Sequence, residues 1–156
     1  MSEGKRKLIA LVGGGAAAVL MPLVASWEGK SNDPYRDIVG IPTVCYGETR
    51  VEMRRYTDAE CEELLANALA DYAAPVLKRN PELKGHDAQI AAATSLAYNI
   101  GPAAYAGSTV ARRFSAGNWA GACDAFLMWK MAGGRIVQGL LNRRKAERQL
   151  CLRGLS

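Results

Sequence analysis

Two carboxyls, Glu28 and Asp37, lie nine residues apart, with the hydroxyl of Thr43 six residues beyond the second. Cleavage of a glycosidic bond needs one carboxyl that brings a proton to the leaving oxygen and another, ionised, that activates water or attacks the sugar. Glu28 follows an apolar run ending in Trp27, a setting that suits a desolvated, proton-holding group. Asp37 opens the expected β region, where water and polar groups can keep it charged. The Thr43 hydroxyl is placed to hold a water. By itself such a pair is weak evidence, because solvated carboxylates are the ordinary condition of any protein surface.

The elements that must position these groups can be read from periodicity. Tyr35, Ile38, Val39, Ile41, Thr43, Val44 and Tyr46, punctuated by Gly40 and Gly47, predict a small hairpin between Tyr35 and Thr49. Thr57-Asp58-Ala59-Glu60 has capping-box spacing, and Leu64, Leu65, Ala68, Leu69 and Tyr72 continue at helical intervals towards Pro75. Ile90, Ala93, Leu96, Ala97 and Ile100 mark a helix that ends at Gly101-Pro102. Ser108 and Asn118 are N-cap candidates for two more, the second carrying Trp119, Ala122, Cys123, Phe126 and Trp129 and broken by Gly133-Gly134. A last helix is expected from about Gly139 to Leu152. Helices dominate around one small β region, so the class is α+β.

Residues Leu8 to Trp27 form twenty positions without a charge, preceded by Lys5, Arg6 and Lys7. As a helix this run reaches about 30 Å, the thickness of a bilayer's hydrocarbon core. The preceding cations should stay cytoplasmic, which sends the remainder of the chain outward. The expected division is therefore an N-terminal membrane segment, 1–27, and an exported domain, 28–156. Eight of the twenty residues are Gly or Ala, and small side chains gain little from lipid, so the anchor is weak. Val24-Ala25-Ser26 resembles a cleavage site, yet a cut there would leave Glu28 without a helical turn to support it; retention is expected.

The net charge of +5 suits an anionic partner. No helix-turn-helix, zinc-finger or RNP-like pattern points to nucleic acid. Cys45, Cys61, Cys123 and Cys151 all follow the apolar run, and no C-x-x-C pair occurs. An even count in an exported domain favours disulfides, and locality favours Cys45 with Cys61 and Cys123 with Cys151, four buried thiols being the alternative. His86 is the single histidine and has no acid or nucleophile pattern around it, so it reads as a surface or cap residue. No metal set can be built on it, and no cofactor is expected. Trp119, Phe126, Leu127 and Trp129 read as core at near-helical spacing; Tyr46, on the hairpin, is the better candidate for a sugar cleft.

The stretch from Trp27 to Gly47, with its Glu, Asp and Thr at positions 28, 37 and 43, resembles the active-site segment of the phage-type lysozymes, the endolysin family. Tyr98-Asn99-Ile100-Gly101 is similar to that family's aromatic-Asn-x-Gly turn. Gly139 to Arg144, with Glu147 nearby, is similar to the C-terminal stretch whose Arg faces the catalytic Glu. The resemblance extends from Trp27 to Leu152. It implies a mainly helical lysozyme-like domain with a small β region, acting as a monomer on peptidoglycan. Glu28, Asp37 and Thr43 would be catalytic, Arg143 or alternatively Arg144 would support Glu28, and Tyr46, Gly47 and Asn99 would meet substrate. It implies hydrolysis with inversion, for which carboxyls about 6.5–9.5 Å apart are expected. A lytic transglycosylase and a membrane-bound structural or pore-forming protein are the rival readings. The uncleaved Gly/Ala-rich segment resembles that of signal-anchor-release endolysins. This implies an inactive form held through residues 8–27 on the periplasmic face of the bacterial inner membrane. Release into the periplasm would follow collapse of the membrane potential by a holin-type pore protein. Where the family often has Gly-His, this chain has Gly47-Glu48, so any structural pairing made by that His is absent or replaced.

Overall fold

The structure is a computed structural model and describes residues 1–155. Eight α-helices and two small antiparallel hairpins follow one another along these residues. The apolar N-terminal run is not one helix. It forms α1 (Glu3–Val12) and α2 (Gly14–Glu28), bent by 116° at the residue between them. Gly13 makes the bend possible with φ +89, a conformation open to glycine and strained for other residues. Among the described residues no single helix is long and apolar enough to cross a membrane, and this bent pair meets the requirement only by length and composition.

Folded this way, the segment satisfies its apolar side chains with protein instead of lipid. Leu8, Val12, Ala16, Ala17, Leu20 and Val24 are buried in the same cluster as Leu69, Ile90, Leu96 and Phe126. Burial of a Leu or Val side chain contributes about 1.5–3 kcal/mol, so these positions are a substantial part of the core. The partition between residues 1–27 and 28–156 is therefore not a partition of packing. α1 lies along α3 (Asp58–Arg79), and α2 lies on α4 (Asp87–Ile100).

Polar contacts fix the start of α1. The Ser2 hydroxyl accepts from Lys5 N, the Gly4 N–H donates to Glu63 Oε1 at 2.5 Å, and Lys5 pairs with Glu62 at 3.3 Å. A carboxylate at a helix N-terminus meets both its free N–H groups and the positive end of its dipole. The Ser2 hydroxyl, followed by the Gly4 N–H, accordingly holds the Glu63 carboxyl below its ordinary range.

The first hairpin pairs β1 (Ser31–Arg36) with β2 (Pro42–Cys45), Tyr35 opposite Thr43, with an irregularity between Ser31 and Tyr35. It begins earlier than the β-branched content indicated, because Asn32 and Asp33 are held by their neighbours: Asn32 donates to Tyr56 O and Arg55 pairs with Asp33. α3 starts on the expected capping box, Thr57 and Glu60 exchanging hydrogen bonds. It continues through Pro75 to Arg79; Ala73 and Val76 on either side of the proline are fully buried, and that packing outweighs the lost hydrogen bond. Ser108 and Asn118 cap α6 (Thr109–Ser115) and α7 (Trp119–Ala125). The expected continuation of α7 through Trp129 is instead a 3₁₀ turn, Phe126–Met128. Gly133-Gly134 close the second hairpin, β3 (Met131–Ala132) with β4 (Arg135–Ile136), both at positive φ as a tight two-residue turn requires. The short α5 (Pro102–Ala106) follows Gly101, and α8 (Gln138–Cys151) ends the chain. Disulfides join Cys45 to Cys61 and Cys123 to Cys151. The first ties the end of β2 to α3, the second ties α7 to α8.

Gly4 gives a test of the α1 dock. A Cβ there would lie 2.7 Å from Glu63 Oε1 and 2.9 Å from the Glu63 carbonyl oxygen, which belongs to backbone and cannot move aside cheaply. Gly4→Ala is expected to lower the thermal midpoint although alanine is the better helix former by about 1 kcal/mol. A raised midpoint in thermal unfolding would show that α1 does not sit on α3 in solution.

Candidate active site

Glu28 is the last residue of α2, and Gly29, at φ +67, turns the chain immediately into the hairpin. Its carboxylate is bounded on both sides. Oε1 accepts from Arg143 Nη1 at 2.6 Å, and Oε2 lies 3.8 Å from where a Cβ on Gly47 would be. The Glu28 side chain keeps 23% exposure while that of Arg143 has 6%. One face of the carboxyl is therefore open to an incoming group and the other is set in protein.

Arg143 owes its position to a buried ionic network on α8. Glu147, fully buried, accepts from Arg143 Nε at 3.4 Å, from Arg144 Nε at 2.6 Å and from Arg144 Nη2 at 3.0 Å, and from the Ser95 hydroxyl at 2.5 Å. Arg144 also donates to Asn99 Oδ1 at 2.7 Å, and Arg143 Nη2 reaches Ser95 O at 3.4 Å. Positions 143, 144 and 147 combine i,i+3 and i,i+4 spacing, which brings both guanidinium groups to one carboxylate. Burial draws the Arg144 proton affinity below its ordinary value, with Glu147 opposing. Buried charges are tolerated when paired and fully hydrogen-bonded, and here two cations share the carboxylates of Glu147 and Glu28. Of the two arginines, Arg143 faces Glu28, while Arg144 braces Glu147 and Asn99.

Asp37 and Thr43 are on the hairpin. Asp37 closes its tip: Oδ1 accepts from Val39 N and Ile41 N, each at 2.9 Å, so the side chain is oriented by backbone donors. Thr43 is buried in β2, and its hydroxyl donates to Ile41 O at 2.9 Å. Gly47 belongs to the turn after β2. That turn is tight, Val44 and Glu48 exchanging hydrogen bonds at 3.0 and 2.8 Å, with Cys45 at φ +59 and Gly47 at φ +91. Gly47 supplies a backbone angle that other residues adopt with strain; a Cβ there would make only ordinary contact with Glu28.

Two of the expected substrate positions, Tyr46 and Asn99, also make contacts within the protein. Tyr46 lines a depression together with Met21, Pro22, Ala25 and Leu65. Its carbonyl accepts from the Tyr98 hydroxyl at 3.2 Å. Asn99 spends its carbonyl oxygen on Arg144. His86 is exposed and edge-on to Trp119, ring centroids 4.7 Å apart, away from these groups. Phe126 is fully buried, and Trp119 and Trp129 pack against the core. Among the described residues no set of three His, Cys, Asp or Glu side chains is arranged to hold a metal.

Spacing missed two residues. Ser95, on the inner face of α4, has no polar partner within its own helix and meets Glu147 only through tertiary packing. Glu48 is the second: burial, then the anions of Glu28 and Asp71, push its carboxyl up to about 7. Its Oε1 is enclosed and has no hydrogen-bond partner among the described residues. Burial, then the carboxylates of Glu48 and Glu28, also push the Tyr98 phenol upward.

Comparison with known proteins agrees with this architecture. A family model described as Phage lysozyme matches residues 25–147. A SAR-endolysin of Enterobacteria phage P21 is 38% identical over 161 residues, covering 96% of each chain. Among solved structures, a P22 lysozyme mutant superposes with a TM-score of 0.76 at 31% identity, covering 90% of this chain and 97% of that one. The active form of P1 phage endolysin Lyz superposes with a TM-score of 0.79 over 100% of this chain and 97% of its own; at 22% identity it bears on the fold alone.

The state of Glu48 has a thermodynamic signature. A carboxyl that binds its proton more tightly when folded makes stability fall as pH rises from its unfolded value, near 4.5, to about 7. Below that window the charge is absent in both states; above it the penalty is complete and constant. Glu48→Gln is therefore expected to raise the thermal midpoint relative to the parent above pH 7, with the difference shrinking towards pH 4. A difference independent of pH would remove the buried-charge account.

Proposed function

The chain belongs to the phage lysozyme family and cleaves peptidoglycan, and we propose that it does so as an inverting muramidase. The bond cut is the β-1,4 link between N-acetylmuramic acid and N-acetylglucosamine. The observation that carries this reading is the partly exposed Glu28 carboxyl, held from behind by Arg143 and lying near Gly47 of the hairpin turn. Glu28 gives its proton to the leaving oxygen. Asp37, its direction set by two backbone N–H groups, and Thr43 beside it in the same hairpin position and activate the attacking water. Preorganised groups of this kind lower a barrier because little reorganisation remains when the bond breaks.

Residues 1–27 are a signal-anchor-release segment in this reading. In the membrane a continuous helix over residues 8–27 holds Glu28 at headgroup level, apart from Arg143, and the enzyme is inactive. After a holin-type pore collapses the membrane potential, the segment leaves the bilayer and folds as α1 and α2. Two features support a segment suited to both solvents: its small side chains, and the burial of Leu8, Leu20 and Val24 against the helices of the domain. The enzyme then works as a monomer in the periplasm.

Digestion of purified peptidoglycan followed by mass spectrometry tests the chemistry. Products carrying an added water are expected, and Glu28→Gln, folded by circular dichroism, should release none. Products lighter by one water would identify a lytic transglycosylase, and full activity of Glu28→Gln would discard the assignment of the acid. Release is tested by fractionating expressing cells before and after the membrane potential is collapsed. Full-length protein should move from membrane to soluble fraction as wall-degrading activity appears; a shortened soluble form would show cleavage instead.

A further inference from the structure

The two halves of the site rest on different supports. Glu28 ends α2 and is held by Arg143 of α8. Asp37 and Thr43 belong to residues 31–49, the first hairpin and the turn after it, whose ties run elsewhere. Asn32 donates to Tyr56 O and to Asp58, Arg55 pairs with Asp33, and Cys45 is bridged to Cys61. All of these end within residues 55–61, so none of them sets the gap between the hairpin and Glu28.

One bond crosses from the hairpin to the helices behind Glu28. The Tyr98 hydroxyl, on α4, donates to the Tyr46 carbonyl at 3.2 Å. Among the described residues it is the only hydrogen bond between residues 31–49 and any part of the chain beyond α3. Its acceptor lies inside the Val44 to Glu48 turn, one residue after the bridged Cys45 and one before Gly47, which lies near Glu28 Oε2. The Tyr98 ring is itself held edge-on to Tyr72 of α3, centroids 5.0 Å apart. Ser95, Tyr98 and Asn99 are spaced i, i+3 and i+4, which puts them on one face of α4. Ser95 O accepts from Arg143, and Asn99 accepts from Arg144. A single helical turn therefore supports both the arginine behind Glu28 and the turn that follows β2.

We propose that Tyr98 is a positioning residue for the reaction: by holding the Tyr46 carbonyl to α4, its hydroxyl fixes the hairpin that carries Asp37 and Thr43 relative to Glu28. This rests on the reading of those three as the reacting groups. The Cys45 bridge fixes one point of the hairpin and leaves rotation about that point; a tether one residue further on, from a different helix, removes that freedom. A water held by the hairpin has to lie on the line of attack when Glu28 gives up its proton, and a misplacement of about 1 Å can cost about a hundredfold in rate. Phenylalanine at position 98 keeps the ring against Tyr72 and lacks only the bond.

The test compares the full chain with Tyr98→Phe and Tyr105→Phe on soluble glycan strands prepared from peptidoglycan, each assayed well below its own thermal midpoint. Tyr105 donates to Asn80 at 2.7 Å in the core, so its variant reports the loss of a phenol bond that supports structure alone. Tyr98→Phe should lower kcat by about tenfold, a displacement smaller than 1 Å, with KM nearly unchanged, as expected when an interaction serves the transition state. Tyr105→Phe should lower the thermal midpoint and keep the parental kcat. A parental kcat in Tyr98→Phe, or an equal loss of kcat in Tyr105→Phe, overturns the proposal. If Tyr98→Phe fails to fold, the parent decides: in mixed light and heavy water the Tyr98 Cζ carbon resonance should split, marking a hydroxyl whose proton is held by its acceptor. A single averaged line would overturn the tether. A parental kcat in Tyr98→Phe beside an inactive Glu28→Gln sinks only the role of Tyr98, whereas an active Glu28→Gln removes the reading beneath it.

Discussion

The hydrogen-bonded pair between Glu28 and Arg143 joins two parts of the chain that are 115 residues apart. It is the point at which the first helices, the hairpin and the last helix become one site. Its strength comes from behind. Glu147 carries no exposure, accepts from both arginines and from Ser95, and thereby fixes Arg143 independently of Glu28. Removing one member of such a buried cluster leaves an uncompensated charge, at a cost of about 3–5 kcal/mol. The network constrains α4 and α8 to one relative position, and it opens to solvent at the Glu28 carboxyl and at Asn99.

Around that bond the fold distributes rigidity unevenly. The hairpin is short, and its tip exposes Ile38 and Val39, yet the groups that matter on it are fixed by local means. Asp37 is held by two N–H groups, Thr43 by burial and a bond to Ile41, and the Val44 to Glu48 turn by reciprocal hydrogen bonds and a disulfide. A two-stranded hairpin has little stability alone. The Cys45 bridge to α3 supplies what a larger sheet would otherwise provide, since closing a short loop removes freedom from the unfolded chain.

Local signals were legible in the sequence where local physics decides the outcome. The capping box at Thr57, the caps at Ser108 and Asn118, and the helix stop at Gly101 all appear as the residue types indicate, because each is satisfied within a few positions. The limits of β1 and the course of α3 through Pro75 depend on partners distant in sequence, and residue spacing does not carry that information; the hairpin around Gly133-Gly134 is local, but a Gly-Gly pair reads equally as a plain helix break. The same holds in the site. Arg143, Arg144 and Glu147 can be placed on one helix face from spacing. Ser95 and Glu48 can be recognised only when another element closes over them. The apolar run is the clearest case: its composition is that of one uninterrupted helix, and only the packing of its side chains against α3 and α4 accounts for the bend at Gly13.

Glu28 closes α2, and this makes the helix a shaft with the carboxyl mounted on its end. Each residue of an α-helix adds about 100° of rotation and 1.5 Å of travel. One residue inserted or deleted between Gly14 and Trp27 would therefore swing the carboxyl about a quarter turn from Arg143, however apolar the altered segment remained. Hydropathy can drift along this segment, but its residue count is geared to the site, so length and composition are under separate constraints.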